Sequence, residues 1–103
     1  MDITVSFRHM DASEAVRTYT KEKSARLKKY FDGRISVTWN FSVEKQTHIA
    51  HCHLRGNHIN YFGEGTGETM YAAIDETIDK IDTQLRRKKE IVKDKLHKTA
   101  RTG

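Results

Sequence analysis

The chain of 103 residues contains no proline and a single cysteine, Cys52. One thiol cannot form an internal disulfide, which fits a protein of a reducing compartment. The first ten residues, MDITVSFRHM, lack the apolar core of a signal peptide, and no apolar run approaches the length that spans a membrane. The sequence therefore argues against a disulfide-stabilised secreted protein and a membrane-spanning protein, and we expect a cytoplasmic location.

The segment from Thr69 to Lys98 also lacks glycine, so nothing in it stops a helix. Thr69 is suited to cap the helix, because its hydroxyl can accept a hydrogen bond from the first turn. Apolar residues recur at spacings of three and four, which places them on one side of a helix. These residues are Tyr71, Ile74, Ile78, Ile81, Leu85, Val92 and Leu96.

Charge is unevenly distributed along this predicted helix. Residues 68–85 carry a net charge of −4, whereas residues 86–101 carry +6. The whole chain has a net charge of +5, so the remainder outside 86–101 is slightly acidic, at −1. A basic cluster of this kind favours nucleic acid or another anionic surface as partner.

The rest of the chain predicts one more helix and four strands. Alternating apolar residues predict strands over 3–7, 35–43, about 50–54 and about 58–64. The helix is expected from Ser13, its N-cap, to Asp32, with Gly33 as the stop. The glycine-rich run Gly63–Gly67 is interpreted as a flexible connection to the long helix.

The predicted order is βαβββα, an α+β fold in which two helices cover one face of a four-stranded, mostly antiparallel sheet. We expect one domain over residues 1–98 and a flexible tail over 99–103. The predicted core consists of Ile3, Val5, Val16, Leu27, Val37, Trp39, Phe41, Cys52, Leu54, Ile74, Ile78, Ile81 and Leu85.

The basic end of the long helix is the first candidate binding site. Its cations surround the helix, and the first helix adds a second basic set, so both helices are expected to flank a common cleft for RNA. The alternative is a solvated helix end whose charges only prevent aggregation. A membrane-surface module is a further alternative, but the helix lacks the Trp- and Phe-rich opposite face of such anchors.

The second candidate is a histidine cluster. His51, His53 and His58 could serve a metal-dependent hydrolase, yet His51 and His53 point away from Cys52 in a strand, so the thiol cannot join them. Exposed polar residues on the open sheet face are the preferred interpretation, with no metal, no cofactor, no small-molecule substrate and no catalytic residues. Cys52 is expected to be buried and inert.

Two other patterns are interpreted as structural. Gly63–Gly67 matches neither the P-loop nor the dinucleotide motif, and nearby carboxylates would repel phosphate. Trp39 and Phe41 share the apolar face of a strand, which argues against base stacking on these rings and favours recognition of RNA shape and phosphates.

The sequence resembles the ribosome hibernation-promoting factor family, which includes ribosome-associated inhibitor A (protein Y) and the sigma-54 modulation proteins. Its most specific part is MYAAIDETIDKIDTQL, residues 70–85, which is similar to the family signature. SEAVRTYTKEKSARLKKYFD, residues 13–32, resembles the first helix, and VEKQTHIAHCHL, residues 43–54, the central hairpin.

This resemblance implies a fold similar to double-stranded-RNA-binding domains and binding of 16S rRNA in the mRNA and tRNA channel of the small ribosomal subunit. It implies that the chain blocks translation and preserves idle ribosomes in stationary phase or stress. A second hibernation factor or a ribosome dimer is a further partner that the family implies. A general double-stranded-RNA-binding module is the alternative within RNA binding.

The candidate RNA contacts form two groups. Those at positions where the family carries basic residues are Arg17, Lys23, Arg26, Lys80, Arg87 and Lys89. Those added on charge alone are Arg86, Lys88 and Lys93.

The chain departs from the family pattern in a few places. Thr83 replaces an arginine, and Ser24 replaces a larger apolar residue. Long family members add a domain that joins two ribosomes, so the sequence fits both a short member and the N-terminal part of a long one.

Overall fold

The computed structural model describes the backbone of residues 1–102 and the side chains of residues 1–88. The predicted order βαβββα is confirmed, with a 3₁₀ segment, Ala25–Tyr30, directly after the first helix. The elements are β1 (Asp2–Phe7), α1 (Glu14–Ser24), β2 (Ser36–Glu44), β3 (Thr47–Gly56), β4 (Ile59–Gly67) and α2 (Met70–Thr102).

The four strands form one sheet in the order β1-β2-β3-β4. β1 runs parallel to β2, because α1 crosses over between them, and the other two pairs are antiparallel hairpins. In the centre, Trp39 lies opposite Val5 on one side and Cys52 on the other. The mostly antiparallel sheet predicted from the sequence is therefore confirmed.

The first helix begins as predicted and ends earlier. The Ser13 side chain accepts a hydrogen bond from the Val16 amide at 3.2 Å, which satisfies one free donor of the first turn. The α-helix stops at Ser24 and the 3₁₀ segment at Tyr30, whereas the sequence pattern predicted a helix to Asp32. Gly33 adopts the expected left-handed conformation, with φ of 100°.

The core lies between the helices and one face of the sheet, and most of the predicted core residues are fully buried. Ile3 and Val5 are only partly buried, because β1 is an edge strand with one neighbour. Tyr71 is 40% exposed, so it belongs to the border of the core. Buried residues beyond the prediction include Ile35, Ala50, Met70 and Ala73.

Ser24 has a specific role in this core. It is fully buried, and its hydroxyl accepts a hydrogen bond from the Trp39 indole at 2.9 Å. A buried indole N–H without a partner would be costly. Ser24 therefore satisfies the only polar atom of the Trp39 side chain, the largest side chain in the core.

The glycine-rich run is part of a strand, and the prediction of a flexible connection is wrong. Gly63, Gly65 and Gly67 belong to β4, where they alternate on the face that α2 covers. A Cβ atom at Gly63 would lie 2.7 Å from Ile81, and one at Gly65 would overlap the Ala73 carbonyl. The glycines are required because α2 packs directly against the strand backbone.

Within the described residues, none of the helices has the length and apolarity needed to cross a membrane.

Candidate nucleic-acid interface

α1 and the 3₁₀ segment after it lie beside α2 and run in the same direction, because later residues of this first stretch contact later residues of α2. The Tyr19 hydroxyl donates to Asp75 at 2.6 Å, and the Tyr30 hydroxyl donates to Asp82 at 2.8 Å. The Tyr19 ring also meets Tyr71 edge-on, with 4.9 Å between centroids. These contacts fix the spacing of the two helices.

Both tyrosines remain protonated at neutral pH. The hydrogen bond to Asp75, followed by burial and the charge of Asp75, raises the pKa of Tyr19 to about 12. Burial, followed by the hydrogen bond to Asp82, raises the pKa of Tyr30. The two hydroxyls therefore act as permanent donors to the carboxylates of α2.

The groove between the helices holds acidic as well as basic residues. Arg26 contacts Asp79 at 3.2 Å and Asp82 at 3.9 Å. Lys23 lies over the Tyr19 ring, 5.2 Å from its centroid. Because aspartates of α2 line this groove, the prediction of one shared basic cleft is wrong for the described side chains.

Lys80 and Lys88 lie on the opposite side of α2, towards β4. The Lys80 ammonium contacts Glu76 at 2.9 Å and donates to the Glu64 carbonyl at 2.8 Å. The Lys88 ammonium lies 5.4 Å from the centroid of the Tyr61 ring. These two cations therefore lie along the side of α2 that packs over β4.

Arg17 lies apart from the cations of the groove and from the two lysines beside β4. Its guanidinium lies over the Phe7 ring at 5.5 Å from the centroid and contacts Glu14 at 3.3 Å. Phe7 is on β1, so Arg17 lies on the side of α1 that faces away from α2.

Arg86 and Arg87 are exposed. They follow Leu85, the last buried residue of α2 among the described side chains. The charge of Arg86 acts on Tyr30, where it opposes the upward shift of the tyrosine pKa. Arg86 is therefore near the end of the 3₁₀ segment. The side chains of Lys89, Val92, Lys93 and Leu96 lie outside the described residues. α2 extends to Thr102, so the backbone of residues 99–102, where the sequence predicts a tail, is helical.

Of the three candidate histidines, His51 and His53 lie on the open face of the sheet and His58 lies at its edge. His53 stacks on Phe62, with 4.0 Å between ring centroids, and contacts the Asn60 amide oxygen. His51 approaches Glu64 at 3.7 Å, and His58 lies in the β3–β4 turn with φ of 62°. Across the part of the chain with described side chains, no three potential metal ligands gather into a cluster.

Cys52 is buried as predicted. Burial raises the pKa of its thiol to about 12, so the reactive thiolate is scarce at neutral pH.

Sequence reasoning missed two features of this surface. The aspartates of the groove, Asp75, Asp79 and Asp82, repeat the spacing of Ile74, Ile78 and Ile81 one residue later. That spacing was sufficient to place them on one face beside the core. Phe62, which is 63% exposed, was missed because the sequence analysis did not predict which face of the sheet each residue of β4 occupies.

Comparisons with known proteins agree with this architecture. The family model described as "Sigma 54 modulation protein / S30EA ribosomal protein" matches residues 3–93. The ribosome hibernation promoting factor of Salmonella typhimurium is 38% identical over 95 residues, which cover 90% of this chain and 98% of that protein. The factor of the same name from Azotobacter vinelandii is 36% identical over 87% of this chain and 84% of that protein.

Two solved structures show the same fold. The N-terminal domain of Thermus thermophilus Protein Y superposes with a TM-score of 0.78 at 28% identity, covering 84% of this chain and 98% of that one. A ribosomal subunit interface protein from Coxiella burnetii gives 0.77 at 22% identity, covering 87% and 99%, and supports the fold alone.

The family model covers most of the chain, and the sequence relatives span nearly its whole length. The protein therefore belongs to the sigma 54 modulation protein / S30EA ribosomal protein family.

Proposed function

We propose that this protein is a non-catalytic ribosome hibernation factor of the cytoplasm. In this proposal it binds 16S rRNA of the small ribosomal subunit in the channel for mRNA and tRNA. Its presence there blocks translation and preserves idle ribosomes in stationary phase or stress.

The observation that carries the proposal is similarity across nearly the whole length of a named relative. The Salmonella typhimurium protein named ribosome hibernation promoting factor aligns over 98% of its length at 38% identity. Nearly all of that relative has a counterpart in this chain, which supports the same function here.

The charges of the helical layer suggest how RNA is bound. Arg17, Arg26 and Lys80 form exposed ion pairs within the protein. Such pairs contribute only about 0–1 kcal/mol each, so a phosphate can replace the carboxylate at small cost. Basic residues need not be unpaired in the free protein in order to bind RNA.

The aspartates of the groove direct RNA towards one end of α2. Phosphates are repelled by Asp75, Asp79 and Asp82, which line the first half of the helix. Beyond Leu85 the sequence of α2 is strongly basic, with a net charge of +6 over residues 86–101. We therefore place the main RNA contact at Arg86, Arg87 and Lys88, continuing to Lys89 and Lys93, with Lys23 and Arg26 at its border.

Co-sedimentation with purified small subunits tests the proposal. The double variant Arg86→Glu, Arg87→Glu lowers the net charge by four at the proposed contact. The matched control Arg34→Glu, Lys45→Glu makes the same change at two exposed cations outside the helices. We expect the first variant to lose most subunit binding and the control to keep it, with unchanged thermal unfolding for both.

Salt dependence provides a second measurement. Each lost phosphate contact should reduce the slope of log K against log salt concentration by roughly 0.7–0.9. Equal sedimentation of the two variants would contradict a contact at Arg86 and Arg87. Absence of binding by the unmodified protein would contradict the function itself.

A further inference from the structure

The sheet face opposite the helices contains a shallow depression of about 730 Å³. It lies over β2, β3 and β4, on the side chains that alternate away from the core. This face is remote from the helical layer, so its residues take no part in the contact proposed above.

An exposed aromatic pair forms the middle of the depression. Phe62 on β4 and His53 on β3 are direct cross-strand neighbours, with ring centroids 4.0 Å apart and planes inclined by 14°. The contact of His53 with Asn60 fixes the imidazole, so the two rings are held in position before any ligand binds. Phe62 is 63% exposed and makes no contribution to the core, so its ring is available to a ligand.

Two arginines lie at the ends of this face. Arg55 pairs in register with Asn60 and Ser36 at one end. Arg8 follows β1, and its amide bonds the Phe41 carbonyl, which places it towards the other end. The levels of these two ends correspond to Ser36 and Ser42 on β2, which are six residue steps apart, a span of ~20 Å. Glu64 is the carboxylate lining the depression, and it faces His51.

We propose that this open face binds a short unpaired segment of RNA, with a base stacked on the Phe62–His53 pair and phosphates at Arg8 and Arg55. Every base offers a flat π-face to an aromatic ring, and arginine pairs with phosphate oxygens. The hydroxyl and amide groups of Thr38 and Asn40 line the depression between the arginines, where they can meet base edges. Cations at both ends of an aromatic pair match the repeating phosphates on either side of a stacked base.

The proposal is tested with the whole chain and hexaadenylate, a single-stranded RNA that forms no base pairs at neutral pH. In an NMR titration, we expect the largest amide shifts in Thr38, Asn40, His53 and Phe62. Shifts confined to α1 and α2, or no shifts at saturating RNA, would overturn the proposal.

Two substitutions of Phe62 separate stacking from simple apolar contact. Phe62→Leu keeps an apolar side chain but removes the ring, and should weaken hexaadenylate binding by about 5- to 150-fold, the value of one stacked base. Phe62→Trp keeps a ring and should bind within about threefold of the unmodified chain. Equal effects of the two substitutions would contradict stacking.

Arg55→Gln tests the phosphate contact. It should reduce the salt slope for hexaadenylate by about 0.7, the value for one phosphate of a single strand. An unchanged slope would remove Arg55 from the site.

Sedimentation of the free chain distinguishes a protein occupant. If Phe62→Leu changed self-association while leaving RNA binding intact, the face would be a protein interface and the proposal wrong. Failure of hexaadenylate to bind would leave ribosome binding through Arg86 and Arg87 unaffected, so the two proposals fail separately.

Discussion

The two faces of the sheet are built from the same four strands and differ in almost every property. The face under the helices carries Val37, Trp39, Phe41 and Leu54, all fully buried. The open face carries alternating polar residues together with the exposed ring of Phe62. Since successive side chains point to opposite faces, stability and recognition can be encoded one residue apart on the same strand.

This difference predicts which substitutions change stability and which change binding. Substitutions under the helices remove packing or create overlap, whereas substitutions on the open face leave the core intact. Buried Cys52, Gly65 and Ser24 can each be compared with a similar position on the open face of the sheet.

Cysteine reactivity should show the largest contrast between the faces. The buried Cys52 thiol has a pKa raised from 9.0 to about 12. At pH 8 that change lowers the thiolate fraction by about a thousandfold, and the thiolate is the form that reacts with iodoacetamide. We expect Cys52 to be labelled at least ~1,000 times more slowly in the folded chain than in urea.

Thr38→Cys in a Cys52→Ala background provides the comparison on the open face of β2. Labelling of this variant should be nearly as fast in the folded chain as in urea, measured by mass spectrometry over time. Rapid labelling of native Cys52 would show that β3 is not covered by the helices as described.

Gly65 should show the next largest effect, on the free energy of unfolding. A methyl group at Gly65 would overlap the Ala73 carbonyl and Thr77, so Gly65→Ala forces α2 away from β4. Overpacking typically costs about 1–3 kcal/mol, and a collision with backbone belongs at the upper end or beyond. Urea unfolding followed by circular dichroism measures this loss.

The neighbouring Thr66→Ala is the matched control, because Thr66 is exposed on the other face of β4. It should change stability by less than about 1 kcal/mol. If Gly65→Ala were as stable as Thr66→Ala, the close packing of α2 on β4 would be wrong.

The element order and nearly all of the core could be predicted from the sequence, because apolar periodicity directly encodes which side of an element is buried. Thr69 and Ser13 were correctly predicted as caps; Thr69 accepts from Ala72 at 3.1 Å. The end of α1 could not be placed, since Lys28 and Lys29 continue a helical pattern while the backbone changes to a 3₁₀ segment.

The glycines of β4 and the acidic groove were two further failures. A glycine-rich run predicts a loop from local propensity, and only the approach of a helix from elsewhere in the chain explains why it is a strand. Similarly, cations on both helices suggested a common cleft, but tertiary contacts brought Asp79 and Asp82 to Arg26. Local charge patterns do not determine which side chains meet across two helices.

Ser24 supplies the smallest of these contrasts and tests the polar contact in the core. Ser24→Ala removes the acceptor of the Trp39 indole, which is fully buried. A buried donor left without a partner costs about 1–3 kcal/mol, while the loss of one small oxygen leaves little cavity. We expect a lower unfolding midpoint in urea with an unchanged slope, together with a change in the emission of Trp39, the single tryptophan.

Ser42→Ala, a matched serine on the open face of β2, should leave both measurements nearly unchanged. Equal stability of the two variants would mean that the indole finds another acceptor, and that Ser24 is needed in this core only for its small size.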